Sequence, residues 1–366
     1  MAAHLSHLGG YRIILVDRDH ELVENLKKKG KFDIHVLGNE NADCTIRPEQ
    51  VYQLEDTGWY EQMPSAGILF CSVFGSNLGA LAKELAAGLG RRYMANPEQE
   101  LNLITCENFT DAALILETEV LQYLEDEEKT WLHQKIGFSE SMVLRTCLGP
   151  GEHQDALALR VQDYFELPCD REAMKGKIPD IYGLKPLENF KNQLRRKIFT
   201  YNCINAVITY LGARKEYTYL FEAGRDPDIV VMARQAAVES SNAQIAAYGF
   251  DREVQYEWVE AALIKFADIH IPDPISRNGA DPARKLGRED RLIGPALLAT
   301  KHHIRPVGLM NGIFAAFEFR DEQSGTRIAD RITVEGIETV LQDICGLLPA
   351  EPLYEMLRKE YHIRWP

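Results

Sequence analysis

Three polar side chains interrupt an otherwise apolar stretch, Leu194 to Gly212, that reads LRRKIFTYNCINAVITYLG. They are Lys197, Asn202 and Asn205, at offsets 0, +5 and +8. Phe199, Val207, Ile208 and Leu211 around them are core-type residues. Read as one α-helix at about 100° per residue, they fall near 0°, roughly 140° and roughly 80°, on one side. A lysine and two amides are costly to bury unless each finds a partner. Desolvation draws a lysine pKa from about 10.4 towards neutrality, which makes the amine a base. The amides can donate hydrogen bonds to an oxygen that gains charge as its proton leaves. The competing reading is an amphipathic helix with Lys197 at its wet edge and the asparagines bonded to neighbouring helices. Spacing alone leaves both open.

A second chemical feature lies near the start. Tyr11 to Asp17 (YRIILVD) is a short apolar run that ends in an acid. It reads as a buried parallel strand with a carboxylate at its C-terminal edge. In a dinucleotide-binding fold the second strand ends this way, and its carboxylate bonds the adenosine ribose. Asp17 is therefore the candidate for cofactor recognition, and its charge favours NAD over the 2′-phosphate of NADP. The alternative is an N-cap for the following HELVENLKKKG. Ala66 to Val73 (AGILFCSV) and Leu101 to Cys106 (LNLITC) are further apolar runs of parallel-strand type. Loops at the carboxyl ends of such strands line the ligand crevice. That places Val73, Phe74 and Gly75 towards the cofactor.

Phe32 to Gly38, Ile136 to Arg145 and Ala156 to Leu167 also read as strands, and Val51 to Glu61 as a polar helix or connection. The Gly/Pro-rich KGKIPDIYGLKP, Lys175 to Pro186, marks a domain boundary. Helical periodicity follows over 187–211, 216–223, 226–247, 251–269, 289–301, 306–319 and 332–361. The expected fold is α/β: a Rossmann-type domain over 1–180, then a mostly α-helical domain over 181–366.

Length and composition fit two globular domains, with 366 residues, 45% hydrophobic and 26% charged. A net charge of −14 sets a repulsive field against nucleic acid. No apolar stretch reaches membrane-spanning length and no signal peptide opens the sequence, so a cytoplasmic protein is expected. Seven scattered cysteines without CxxC pairs read as reduced thiols, and no His or Cys spacing suggests a metal.

The segment ENFKNQLRRKIFTYNCINAVITYLG resembles the catalytic helix of the mannitol-1-phosphate 5-dehydrogenases, within the polyol-specific long-chain dehydrogenases. The likeness extends to ILVDRD, ITCENFT, VESSNAQIAAYGFD and DPARKLGREDRLIGP. The family motif is a lysine, an asparagine five on and a histidine eight on. Lys197 and Asn202 match, and Asn205 stands in the histidine's place. The resemblance implies hydride transfer between a secondary alcohol and nicotinamide, with Lys197 as base and Asn202, Asn205 and Asn108 of the CEN triplet as donors. It also sets SRNGADPARKLGREDR near the substrate. There Arg277, Arg284, Lys285 and Arg291 are candidates for gripping a phosphate, against the plain alternative of a charged surface loop.

Leu144 and Ala280 replace an aspartate and an arginine usual in the family. Roughly fifteen residues with the first strand and the glycine-rich loop are expected upstream of the given start, omitted by a late start or a truncation. The first strand is central in the order 3-2-1-4-5-6, so without it the sheet has open inner edges and the pyrophosphate no amide cradle. The implied protein is an NAD-dependent enzyme acting on a sugar or polyol phosphate, as a monomer or loose dimer. A hexuronate reductase and a non-catalytic sugar-phosphate-binding paralogue are the alternatives.

Overall fold

A computed structural model of the chain describes residues 1–73, 77–107, 111–322 and 324–365. It holds two compact units, Met1–Lys191 and Asn192–Pro366. This division lies beyond the expected 180/181, because a strand at Leu184–Leu187 pairs in parallel with Leu167–Asp170 and stays with the first unit.

The first unit runs α1 (Ala2–Leu8), β1 (Ile14–Asp17), α2 (His20–Lys29), β2 (Phe32–Leu37), β3 (Cys44–Ile46), β4 (Gln50–Gln53) and β5 (Leu69–Cys71). It continues through α3 (Leu78–Ala95), β6 (Leu101–Thr105), α4 (Ala112–Leu121), α5 (Asp126–Lys135) and β7 (Ile136–Glu140). The short strands β8 (Cys147–Leu148), β9 (Leu159–Gln162), β10 (Leu167–Asp170) and β11 (Leu184–Leu187) complete it. β1 and β4 pair in parallel, and so do β5, β6 and β7. In the doubly wound order 3-2-1-4-5-6 these pieces correspond to 3-2 and 4-5-6. Among the described strands β1 pairs only with β4, and β5 only with β6, so both inner edges are open. A mixed sheet of order β3-β2-β9-β8 lies beside them in the sequence.

Three expectations need correction here. β1 is half-exposed rather than buried, with Val16 38% exposed, because one of its edges has no partner among the described strands. Residues 51–61 are neither helix nor plain connection. Gln50–Gln53 pairs with β1 through its backbone, and Thr57–Ser65 is a 3₁₀ segment. The polar side chains of Gln50 and Gln53 hid that strand. The strands read over 136–145 and 156–167 shorten to Ile136–Glu140 and Leu159–Gln162.

The second unit opens with α6 (Phe190–Lys197), whose first turn crosses the division, and a π turn at Ile198–Asn202. Then come α7 (Cys203–Arg214), α8 (Leu220–Arg225), α9 (Pro227–Tyr248), α10 (Arg252–Phe266), α11 (Ile275–Gly279), α12 (Pro282–Lys285) and α13 (Ile293–Lys301). α14 (Val307–Glu318), α15 (Ile328–Glu335), α16 (Ile337–Asp343) and α17 (Pro352–Arg364) close it. The single helical run read over 332–361 is broken at Gly336, whose φ of 86° no ordinary helical residue adopts, and again before Pro352. α9 has the caps its sequence advertises. Asp226 accepts from the Asp228 and Ile229 N–H groups, Pro227 fills the first turn, and Gly249 ends the helix left-handed.

α7 is the buried centre of this unit, packed by α8, α9, α11 and α14. Cys203, Ile204, Val207, Ile208 and Tyr210 are all fully buried in its core. α9 also caps α14, because the buried Glu239 carboxylate accepts from the Gly308 and Leu309 N–H groups at 2.9 and 3.1 Å. The two helices touch there: a Cβ on Gly308 would lie 2.5 Å from the Ala236 backbone nitrogen. Gly308→Ala should therefore destabilise the fold by about 1–3 kcal/mol. Urea unfolding followed by circular dichroism reads this as a lower midpoint. An unchanged midpoint would contradict the close approach.

Candidate active site

α6 does not run straight into α7. The Cys203 N–H donates to the Ile198 carbonyl, five residues back, which makes Ile198–Asn202 a π turn. The uniform 100° wheel is corrected accordingly. A turn closed at five residues is wider than an α turn, so Asn202 falls nearer to Lys197 round the helix than the roughly 140° of a uniform wheel. Single π turns of this kind recur at functional sites.

Lys197 sits at the entrance to the turn and is 5% exposed. It is not the wet edge of an amphipathic helix. Burial lowers its pKa to about 7, Arg291 and Lys265 push the same way, and Asp290 opposes them. Asn202 is half-buried at the end of the turn. Asn205, also half-buried, donates from Nδ2 to Asn278 Oδ1 of α11 at 3.1 Å. For Asn205 the neighbouring-helix reading is thus realised, and the bond fixes where its amide points.

The basic segment is not a simple charged loop. Lys285 is buried in α12, its ammonium donates to the Asn278 carbonyl, and burial lowers its pKa to about 7. Arg291 is largely buried and donates from Nε to Asp290 at 2.8 Å. Arg284 reaches Asp281 at 2.9 Å and Asp290 at 3.3 Å. Arg291 and Asp290 act electrostatically on both Lys197 and Lys285, so these groups share one neighbourhood. Arg277 is tied to Asp273 at 2.7 Å and its side chain is more than half exposed. Lys265, in α10, was missed by the sequence reading. Burial lowers its pKa to about 8, with Asp273 opposing, yet its spacing in an amphipathic helix carries no signal of this.

In the first unit, Asp17 is exposed at the C-terminal end of β1 and accepts from the Asp19 N–H at 2.9 Å. It is not the N-cap of α2; Asp19 is, accepting from the Leu22 N–H. That leaves the Asp17 carboxylate oriented but open to a ligand hydroxyl. Val73 is half-buried and its N–H donates to Glu107 Oε1 at 2.6 Å. Glu107, a buried acid directly after β6, ties the ends of β5 and β6 together and was not singled out from the sequence. Phe74, Gly75 and Asn108 lie outside the described residues. Among the described residues no cluster of three His, Cys, Asp or Glu is placed to hold a metal, and no helix is long and apolar enough to cross a membrane.

Comparison with known proteins matches two family models in succession. They are the mannitol dehydrogenase Rossmann domain over residues 1–183 and the mannitol dehydrogenase C-terminal domain over 189–355. A mannitol-1-phosphate 5-dehydrogenase of Bacillus pumilus is 28% identical over 96% of this chain and 93% of its own length. That of Bacillus subtilis is 29% identical over 97% of this chain and 94% of its own. Two solved structures share the fold at a TM-score of 0.75 and 14% identity, each covering 99% of this chain. They are a D-sorbitol dehydrogenase in substrate-free form, covered over 89%, and a Pseudomonas fluorescens mannitol 2-dehydrogenase in complex with NAD and D-mannitol, covered over 90%.

The buried lysines give stability a definite pH dependence. Lys197 and Lys285 near 7 in the folded chain regain their ordinary value on unfolding, so between about 7 and 10.4 the unfolded chain binds more protons. The burial cost is full below pH 7 and fades as pH rises towards 10.4. Lys197→Met should therefore be more stable than the parent by roughly 2–4 kcal/mol at pH 6, with little difference near pH 10.5. Paired urea titrations at the two pH values measure this. An equal difference at both would contradict a lowered lysine pKa.

Proposed function

The chain belongs to the mannitol dehydrogenase family, and from that premise we propose that it is an NAD-dependent dehydrogenase interconverting a polyol phosphate and a ketose phosphate, of the mannitol 1-phosphate and fructose 6-phosphate type. The observation that carries this reading is the dry Lys197 amine, drawn to about 7 by burial, with asparagines five and eight residues on. A base works best when its pKa lies near the working pH.

In the oxidation direction the neutral Lys197 amine takes the proton of the substrate hydroxyl. Asn202 and Asn205 donate to the same oxygen as its charge grows, and Asn108 is assigned a like role by its place in CEN. The chemistry the cofactor supplies when bound is acceptance of the hydride that leaves the carbinol carbon. Asp17 fits the adenosine ribose: an exposed carboxylate at the end of the second parallel strand, held by the Asp19 N–H. Val73 follows β5 on the same cofactor side, and Phe74 and Gly75 are assigned to the cofactor by their place in the sequence alone. Lys285, Arg291 and Arg284 are the cations assigned to the phosphate, with Arg277 at their margin. Neither alternative is favoured, because the relatives are dehydrogenases over nearly their full length and the lysine is buried as a base requires.

The test is turnover of mannitol 1-phosphate with NAD, followed by NADH absorbance. Lys197→Ala should lower kcat at least about a hundredfold while circular dichroism stays unchanged. An undiminished rate in the variant would end the assignment.

A further inference from the structure

The π turn raises a backbone problem. In a continuous α-helix the Cys203 N–H would bond the Phe199 carbonyl; here it is shared between the Ile198 and Thr200 carbonyls instead. Phe199 is buried, and its carbonyl, which does not take the Cys203 N–H, is met by a donor from another helix. Ser240 of α9 provides it. Its hydroxyl donates to the Phe199 carbonyl at 2.7 Å, and Ser240 itself is fully buried.

A buried polar network braces this contact. Gln244 Nε2 donates to Ser240 Oγ and to Thr200 Oγ1, both at 3.2 Å. Gln255 Nε2 donates to Thr200 Oγ1 at 2.9 Å and to Ser241 Oγ at 3.0 Å. Arg196 Nε donates to Gln255 Oε1 at 2.7 Å, and its guanidinium lies 4.3 Å over the Trp258 ring. Arg196 and Thr200 flank Lys197 on the chain, so the network grips the helix on both sides of the lysine. Apolar residues would fill the same space without the risk of an unmet polar group. The network is therefore best explained by the geometry it enforces.

We propose that Ser240 is a positioning residue for Lys197: through the Phe199 carbonyl it holds open the π turn that sets the amine and Asn202 on one side of the helix. This rests on the reading of Lys197 as the base. Without the hydroxyl, the favoured backbone is the continuous α-helix, in which the Cys203 N–H takes the Phe199 carbonyl. Removing one residue from the turn rotates everything upstream by about 100° relative to α7. Lys197 is then turned relative to Asn202 and Asn205 and moves out of its dry site.

The experiment compares the full-length parent with Ser240→Ala and Ser240→Thr. Three quantities are read: kcat, KM, and the titration of the Lys197 amine by NMR of nitrogen-labelled lysine, assigned with Lys197→Met. Ser240→Ala should lower kcat at least tenfold with KM within threefold, and move the Lys197 midpoint from about 7 towards the ordinary lysine value. Ser240→Thr keeps the donor and should restore both kcat and the midpoint. Loss of melting temperature in Ser240→Ala with kcat and midpoint unmoved would overturn the proposal and leave Ser240 a packing residue. If the parent turns over no polyol phosphate, the functional reading fails, while the titration still decides the positioning role. If Ser240→Thr does not fold, the Ser240→Ala titration decides alone.

Discussion

Exclusion of water from one amine governs the helical unit. A lysine ammonium in a dry core loses its hydration, and two further cations nearby, Arg291 and Lys265, add to the cost. The surroundings limit that cost without cancelling it. Asp290 favours the Lys197 charge, and it also accepts from both Arg284 and Arg291. Burial thus leaves the amine near neutrality.

Everything around α7 serves to keep that site dry and fixed. α9 contributes three consecutive polar residues to it, each with a separate task. Glu239 caps α14, Ser240 satisfies the carbonyl bypassed by the π turn, and Ser241 accepts from Gln255. The nucleotide-binding unit follows a different logic. The groups proposed for the cofactor stand at the carboxyl ends of short parallel strands, where the ligand crevice of such sheets lies. Asp17 after β1 and the Val73–Glu107 bond between the ends of β5 and β6 are both of this kind.

Much of this was legible in the sequence where local signals are strong. The LNLIT strand, the capped α9 and the lysine with its asparagine five residues on could all be found by reading along the chain. What stayed hidden depends on residues far apart. The Phe199 carbonyl within the π turn is bonded by a serine 41 positions away, and no local pattern encodes that bond. β4 is held by backbone pairing with β1, which its polar side chains do not announce. The burial of Lys285, read as a phosphate candidate, and of Lys265, not singled out at all, is decided by the tertiary fold and not by their neighbours in sequence.

The pH dependence of kcat/KM for polyol-phosphate oxidation and ketose-phosphate reduction tests the role of Lys197 most directly. The amine must be neutral to accept a proton and charged to return one. Oxidation should therefore rise as pH increases through about 7, and reduction should fall through the same value. Profiles that inflect near the ordinary lysine value of about 10.4, or that lack opposed limbs, would contradict a dry lysine as the base.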